Sequence, residues 1–382
     1  MKRRFVTLCC FLLLFSNVVY AKEGEIEISA PSALLMEAST GQILFEKDSD
    51  VKREPASVTK IMTLLLIFDA LDSGKISLQD EVVTSEHAAS MGGSQVYLEA
   101  GEIQTVETMI KCIAVASAND ACVAMAEYIC GSEDEFVFQM NERAKALGMK
   151  NTNFENCNGL EAEGHITTAR DIAYMSRELI TRYPQIREYC LLWQENIIHT
   201  TAKGSHEFGL TNTNKLVRHY EYTTGLKTGF TSQAKYCISA TGEKNGIELI
   251  AVIMGAESSA LRNQDAITLL NYGFGNCQKY EAELEELEPV GIYKGQEKFL
   301  PVEMKQSFSY IDTNKADLSN VEKELVFFEI AAPVQKGEKV GEIRYYLGEN
   351  RIGTVDIVAT IEMQKQTYRN VIEMILENYF SL

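Results

Sequence analysis

Residues 61–71 are apolar almost all round, with only Thr63 and Asp69 interrupting. A helix without a polar face is buried on every side, so this stretch predicts a central helix, with Ser57 at its first turn. Upstream, Ala33-Leu34-Leu35-Met36 and Ile43-Leu44-Phe45 flank the turn residues Ser39-Thr40-Gly41, which predicts a hairpin over 32–46. Downstream, a helical pattern over about 106–129 carries Met109, Ile110, Ile113, Val123, Met125 and Ala126. It is interrupted near 117–120, where short polar residues favour turns and caps. Helices are also predicted around 133–147 and 168–181. From about Thr223 the texture becomes strand-like, over 226–230, 236–240 and 248–254, with Asn245-Gly246 turning between the last two. Residues 260–272 then read as a closing helix. The pattern predicts an α/β (α+β) domain: an antiparallel sheet built from both ends of the sequence, surrounded by a mid-chain block of helices.

Beyond about 280 the helical signal ends. Short strand-like runs at 290–293, 299–304, 325–330, 342–347 and 354–359 are separated by Lys294-Gly295, Lys336-Gly337 and Gly348-Glu349-Asn350, which suggests a small β-sandwich. The acidic run 281–288 reads as a solvated linker or an edge strand, and no cysteine, histidine or catalytic set occurs in this part. The last segment is two-faced: Tyr368, Val371, Ile372, Ile375, Leu376, Tyr379 and Phe380 lie opposite Arg369, Asn370, Glu373, Glu377 and Asn378. Two readings stay open, a helix lying in a membrane interface and one packed on the protein itself. A polar face with one arginine and no lysine weakens the first. The expected division is 1–21, 22–279, 280–362 and 363–382.

Lys2, Arg3 and Arg4, the apolar run 5–15 and Val19-Tyr20-Ala21 read as an export signal with its cleavage site. Cys9 and Cys10 lie inside the apolar run and not after it, which argues against a lipoprotein signal. No later segment reaches about 18 apolar residues, the length of a membrane span. An exported protein in the cell envelope is expected. The net charge of −18 becomes −21 once the three basic residues of the signal are removed, which argues against nucleic acid as a partner. Of nine cysteines, seven remain after 1–21. An odd number, no Cys-x-x-Cys spacing, and Cys112, Cys122 and Cys130 in apolar helical stretches favour buried free thiols over bridges.

The chemistry lies in three short motifs in fixed order: Ser57-Val58-Thr59-Lys60, Ser117-Ala118-Asn119 and Lys227-Thr228-Gly229. Ser-x-x-Lys also occurs at Ser49/Lys52 and Ser232/Lys235, so the order counts for more than the first motif alone. A serine hydroxyl needs a base to become a nucleophile, and a lysine three positions on lies on the same helical face. Apolar surroundings disfavour an ammonium and lower the Lys60 pKa, and Lys227 pushes the same way if it converges on the site. Read alone, Ser57 is equally a helix cap. Ser117 and Asn119 offer a hydroxyl and an amide able to relay a proton and hold a substrate amide. Asp120 reads as a cap for the following helix. Lys227, Thr228 and Gly229 on a strand suit an extended peptide ending in a free carboxylate. Gly-x-Ser-x-Gly, His-Glu-x-x-His and Gly-x-x-x-x-Gly-Lys are all absent. The histidines at 87, 165, 199, 206 and 219 show no metal-ligand spacing, so neither metal nor cofactor is expected.

These motifs, with Gly164-His165, Thr168-Ala169-Arg170-Asp171 and Gly225-Leu226 before Lys227, resemble the penicillin-recognising serine enzymes. The likeness is to the low-molecular-mass penicillin-binding proteins, the D-alanyl-D-alanine carboxypeptidases, and it extends through the β-rich tail. The resemblance implies attack by Ser57 on the bond between the last two D-alanines of a peptidoglycan stem peptide, release of D-alanine, and hydrolysis of the acyl-enzyme. Lys60 would be the base, Ser117 and Asn119 its assistants, and Lys227 and Thr228 the carboxylate clamp. β-Lactams would acylate the same serine. Arg262 matches a family arginine near the carboxylate pocket, with a helix-surface arginine as the other reading. The oxyanion hole is expected from the backbone N–H groups of Ser57 and Thr231. Phe230 departs from relatives that carry histidine there. A serine β-lactamase is one alternative, with Glu155-Asn156-Cys157-Asn158 as the nearest match to its deacylating glutamate. A non-catalytic peptidoglycan-binding or regulatory protein is the other, which five intact site residues argue against.

Overall fold

The structure, a computed structural model, describes residues 26–201, 204–369 and 372. The predicted export signal lies outside the described residues, as do 370–371 and 373–382 of the terminal helix expected at 363–382; its start is not helical, because Met363 pairs with Val334 inside the C-terminal core and Lys365 bridges Gly295. No helix among the described residues is long and apolar enough to cross a membrane.

One antiparallel sheet runs in the order Ile43–Lys47, Ser32–Glu37, Ile247–Ala256, Lys235–Lys244, Thr223–Thr231. The strand carrying Lys227-Thr228-Gly229 is therefore an edge, with one row of backbone groups free for another chain. Side chains alternate between two cores, as strand geometry requires. Leu34, Met36, Ile250, Val252 and Met254 face the helical block. Ala33, Leu35, Leu249, Ala251 and Ile253 face Ala266, Leu269 and Leu270 of the Ser259–Asn276 helix. The register pairs Leu34 with Val252 and Leu35 with Ala251, so each face is continuous across strands. The predicted 32–46 hairpin closes on Glu37, whose buried carboxylate accepts hydrogen bonds from both the N–H and the hydroxyl of Ser39 and of Thr40.

The Lys60–Asp72 helix is central, with Ile61, Met62, Leu64, Leu65 and Ile67 inaccessible to solvent. Its polar exception, Asp69, meets Arg143 Nε at 3.0 Å and Tyr183 Oη at 2.6 Å. The 106–129 region breaks where expected, into Val106–Lys111, a π turn over Cys112–Ala116, and Asn119–Cys130. Glu133–Ala146 and Ala169–Arg182 complete the block. The hairpin Gln194–Thr201/Gly204–Thr211 was not expected from the pattern of residues. Only Ile197, His199 and Leu210 are buried along it, too few to produce a legible alternation.

In the C-terminal part, Val302–Met304, Asn350–Ala359, Lys339–Leu347 and Val321–Phe327 form a sheet in that order. Gln278–Ala282 pairs with Phe308–Asp312. Leu300, Ile343, Tyr345 and Ile357 centre a separate core, where the Phe308 ring stacks on Tyr345 at 4.0 Å. The strand expected at 325–330 lies at Val321–Phe327, an edge strand exposed along most of its length. The acidic run starts as strand through Ala282 and continues without regular structure over 283–289.

Two glycines near the end of the Ser259–Asn276 helix make opposite predictions. A Cβ on Gly273 would lie 2.4 Å from Leu249 Cδ1, whereas one on Gly275 meets nothing within 4 Å. Gly273→Val is expected to destabilise by about 1–3 kcal/mol through overpacking. Gly275→Ala is expected to be neutral or stabilising by up to about 1 kcal/mol. Urea unfolding midpoints of the two variants check both.

Candidate active site

Ser57 sits in the 3-10 turn Ala56–Thr59, just ahead of the central helix and not within its first turn; Lys60 opens the helix. The turn is held between two glycine backbones. A Cβ on Gly159 would fall 2.0 Å from Ala56 O, and one on Gly229 would lie 3.0 Å from Pro55 O, Ser57 N and Val58 N. Ala56 itself takes a left-handed φ of 47°. Such a conformation persists only where surrounding packing over-determines it. Ser57 is not a cap: its Oγ is the partner of Lys60 Nζ at 3.0 Å.

Lys60 is fully buried, and Nζ reaches three oxygens: Ser57 Oγ, Asn119 Oδ1 at 2.7 Å and Asn158 O at 2.5 Å. None is a carboxylate. Burial pushes its pKa down, and the more distant Asp120 charge pulls it partly back. A neutral amine fits this set of partners. Nζ donates to all three, and on losing a proton it would keep two N–H bonds for Asn119 and Asn158 and turn its lone pair to the Ser57 O–H.

Ser117 ends the π turn in a left-handed conformation, φ 62°, and its buried Oγ has no hydrogen-bond partner among the described residues. Asn119 is fixed at both ends of its amide, since Nδ2 donates to Gly92 O at 2.7 Å. Asp120 corrects the sequence reading. It lies in the first helical turn, not at the cap, and its buried carboxylate accepts the N–H groups of Val96 and Leu98. It ties the irregular 91–100 segment to the site.

Lys227 is also buried, with Nζ donating to Thr228 O at 3.0 Å. Burial, then the Lys60 charge, lowers its pKa to about 7. Thr228 Oγ1 donates to Thr213 Oγ1 at 2.9 Å. Thr231 ends the strand, its Oγ1 accepting the Ala234 N–H. Arg262 is not on the helix surface but 5% exposed, and among the described residues its guanidinium donates only to Asn263 Oδ1. Burial lowers its pKa to about 10, and its charge is felt at Lys227. The structure thus brings together Ser57, Lys60 and Asn119 by direct contact, and packs Gly229 against the serine turn. Ser117 ends the π turn two residues before the Asn119 helix starts, and Arg262 lies within electrostatic reach of Lys227.

The loop between Asn153 and Ile166, which pair with each other at its base, was read from sequence only for Glu155–Asn158 and Gly164-His165, and its contact with Lys60 was not. It supplies Asn158 O, Gly159 and His165, while Cys157 O accepts from Thr63 Oγ1 at 2.5 Å. Glu155 in the same loop is exposed and accepts from Asn153 Nδ2, away from Ser57 and Lys60. Asn156 Oδ1 accepts from Gly159 N–H at 2.7 Å, so the Asn-x-Asn-Gly pattern was the available sign of a tight turn here.

A family model described as D-alanyl-D-alanine carboxypeptidase matches residues 18–258, and one described as penicillin-binding protein 5, C-terminal domain, matches 281–365. The chain is 42% identical over 353 residues to D-alanyl-D-alanine carboxypeptidase DacF of Bacillus subtilis, covering 90% of each. It is 31% identical to DacA of Escherichia coli, over 92% of this chain and 88% of that one. Among solved structures it resembles penicillin-binding protein 5 from Haemophilus influenzae, with TM-score 0.69, 28% identity and coverage of 90% and 99%. Penicillin-binding protein 6B from Escherichia coli gives TM-score 0.68, 30% identity and coverage of 89% and 98%.

The buried lysines make stability depend on pH. Lys227 has a folded pKa of about 7 against 10.5 for a free lysine, so above pH 7 the unfolded chain holds more protons at this group than the folded one. Stability therefore rises with pH in that window. The rise should be visible from pH 7 to about 8.5, before unfolded thiols ionise. Lys227→Met should flatten it, as read from urea midpoints across the range.

Proposed function

The chain belongs to the D-alanyl-D-alanine carboxypeptidase family, serine peptidases that act on peptidoglycan peptides and bind β-lactams, and on that premise we propose how its own residues carry the reaction. Neutral Lys60 takes the Ser57 Oγ proton as that oxygen attacks the carbonyl carbon of the penultimate D-alanine. The carbonyl becomes an oxyanion facing the N–H groups of Ser57 and Thr231. The C–N bond then breaks, and the proton passes from Lys60 through the Ser117 hydroxyl to the leaving amine of D-alanine. Water attacks the resulting ester, with Lys60 again taking a proton and returning one to Ser57 Oγ. Asn119 holds Lys60 through Oδ1 and keeps one amide N–H for the substrate. The substrate lies along the edge strand past Gly229, its terminal carboxylate held by Lys227 and Thr228 with Arg262 behind them.

The observation that carries this reading is the buried Lys60 amine, without a carboxylate, 3.0 Å from Ser57 Oγ. A structural lysine would bring a counter-ion, and a binding module has no need of an activated serine. The position of Glu155, exposed and bonded to Asn153 Nδ2, supports a carboxypeptidase over a β-lactamase in which that residue would have to serve deacylation. We also propose that 1–21 is an export signal, that 22–279 and the β-rich region from 280 are the two domains, the latter extending to Met363 and Lys365, and that the segment from Tyr368 onward is an amphipathic helix. The protein then works outside the cytoplasm, with that helix as its candidate contact with the membrane.

Mass spectrometry after incubation with penicillin should show one adduct per chain, mapped to Ser57. Lys60→Ala should abolish it while the circular dichroism spectrum is unchanged. An adduct on Ser49 or Ser232, or acylation of the variant at a normal rate, contradicts the assignment.

Lys227→Ala should lower kcat/KM for peptides with a free C-terminal carboxylate by roughly 10- to 100-fold, the worth of a charge-assisted hydrogen bond. A neutral thioester acyl donor should be affected far less. Equal losses on both substrates would mean that Lys227 acts on Lys60 and not on the carboxylate.

A further inference from the structure

We propose that His165 is a positioning residue of this site: through the Thr59 hydroxyl it fixes the Ala56–Ser57 peptide, so that the Ser57 N–H points at the developing oxyanion. The inference rests on the assignment of Ser57 as nucleophile.

A one-way chain of hydrogen bonds leads to that peptide. The Glu155 N–H donates to His165 Nδ1 at 3.0 Å, which leaves Nε2 as the protonated nitrogen. His165 Nε2 lies 2.8 Å from Thr59 Oγ1, and Thr59 Oγ1 donates to Ala56 O at 2.8 Å. Because Nε2 is the donor, the hydroxyl must spend its own proton on the Ala56 carbonyl. His165 is 2% exposed and Thr59 fully buried, so no water competes for these bonds. Burial, and then the Lys60 charge, lowers the His165 pKa to about 4, which keeps the ring neutral and in one tautomer.

The peptide plane turns this into a constraint on chemistry. Ala56 C=O and Ser57 N–H point in opposite directions from one rigid plane, so pinning the carbonyl aims the N–H. The plane needs holding, because Ala56 sits at φ 47°. Gly159 packs against its far side but offers no hydrogen bond to the carbonyl among the described contacts. Thr59 and His165 provide the directional restraint. The ring also lies 5.8 Å from Phe154, so its place in the loop is fixed by packing as well.

The test measures penicillin acylation by stopped flow, separating the dissociation constant of the non-covalent complex from the acylation rate constant. His165→Phe keeps the ring volume without hydrogen bonds, His165→Asn offers groups only near Nδ1, and His165→Gln places an N–H near Nε2. The Phe and Asn variants should lose on the order of 10- to 100-fold in the acylation rate constant, the scale of a misaimed oxyanion donor. The dissociation constant should change by less than about twofold, and Gln should restore most of the rate. Thr59→Val should match His165→Phe, and the double variant should be no worse than either single one, because both break the same chain.

Additive losses overturn the proposal, as do identical Asn and Gln variants or a weaker complex with an unchanged acylation rate. If His165→Phe does not fold, Thr59→Val and the Asn/Gln comparison decide the question. Wild-type protein is the control. Absence of a Ser57 adduct there defeats the functional assignment itself, whereas a normal adduct forming at wild-type rate in the variants defeats only the role of His165.

Discussion

A lysine amine buried without a carboxylate is the constraint around which this molecule is arranged. Transferring a cationic group from water to a protein interior is costly, so burial lowers the Lys60 pKa, and the amine is satisfied there by neutral oxygens. Those oxygens come from three places: the turn before the helix, the helix starting at Asn119, and the 153–166 loop. Each must be rigid for the amine to be satisfied. Asn119 is fixed through its own N–H to Ser94 O and its side-chain amide to Gly92 O. The loop is closed at its base by the Asn153–Ile166 pairing and tied to the central helix through Thr63. The same bonds that make burial tolerable also hold the base against the nucleophile.

The second amine gives the site its electrostatic logic. Lys227 and Lys60 each disfavour a proton on the other, and both are buried. Near neutral pH the empty site therefore resists carrying both charges. Arg262 adds a further positive charge to the Lys227 end of the site. Local burial and placement of charge govern the site, and the net charge of the surface does not.

The parts legible in the sequence were those where one physical demand dominates a run of residues. The central helix announced itself because every side of it is buried, and the sheet strands after Thr223 because two cores claim alternate side chains. The convergence of Ser57, Lys60 and Asn119 was legible because such chemistry would require particular functional groups in a fixed order. The 194–211 hairpin was not, because few of its residues are buried, and the edge strand at Val321–Phe327 was displaced for the same reason.

Backbone contributions to the site escaped notice on different grounds. Asn158 meets Lys60 through its carbonyl oxygen, which any residue would supply, so no side chain signals it. Gly159 matters for what it lacks, and its importance emerges only once Ala56 O is seen against it. Asp120 was only partly read because an acidic residue at a helix start has a local explanation, here the Ala121 N–H, whereas its other partners, Val96 and Leu98, lie more than twenty positions upstream. A side chain serving a distant backbone amide leaves no periodic trace. The supporting shell of such a site is therefore written in contacts between segments, while the reacting groups are written in the order of the chain.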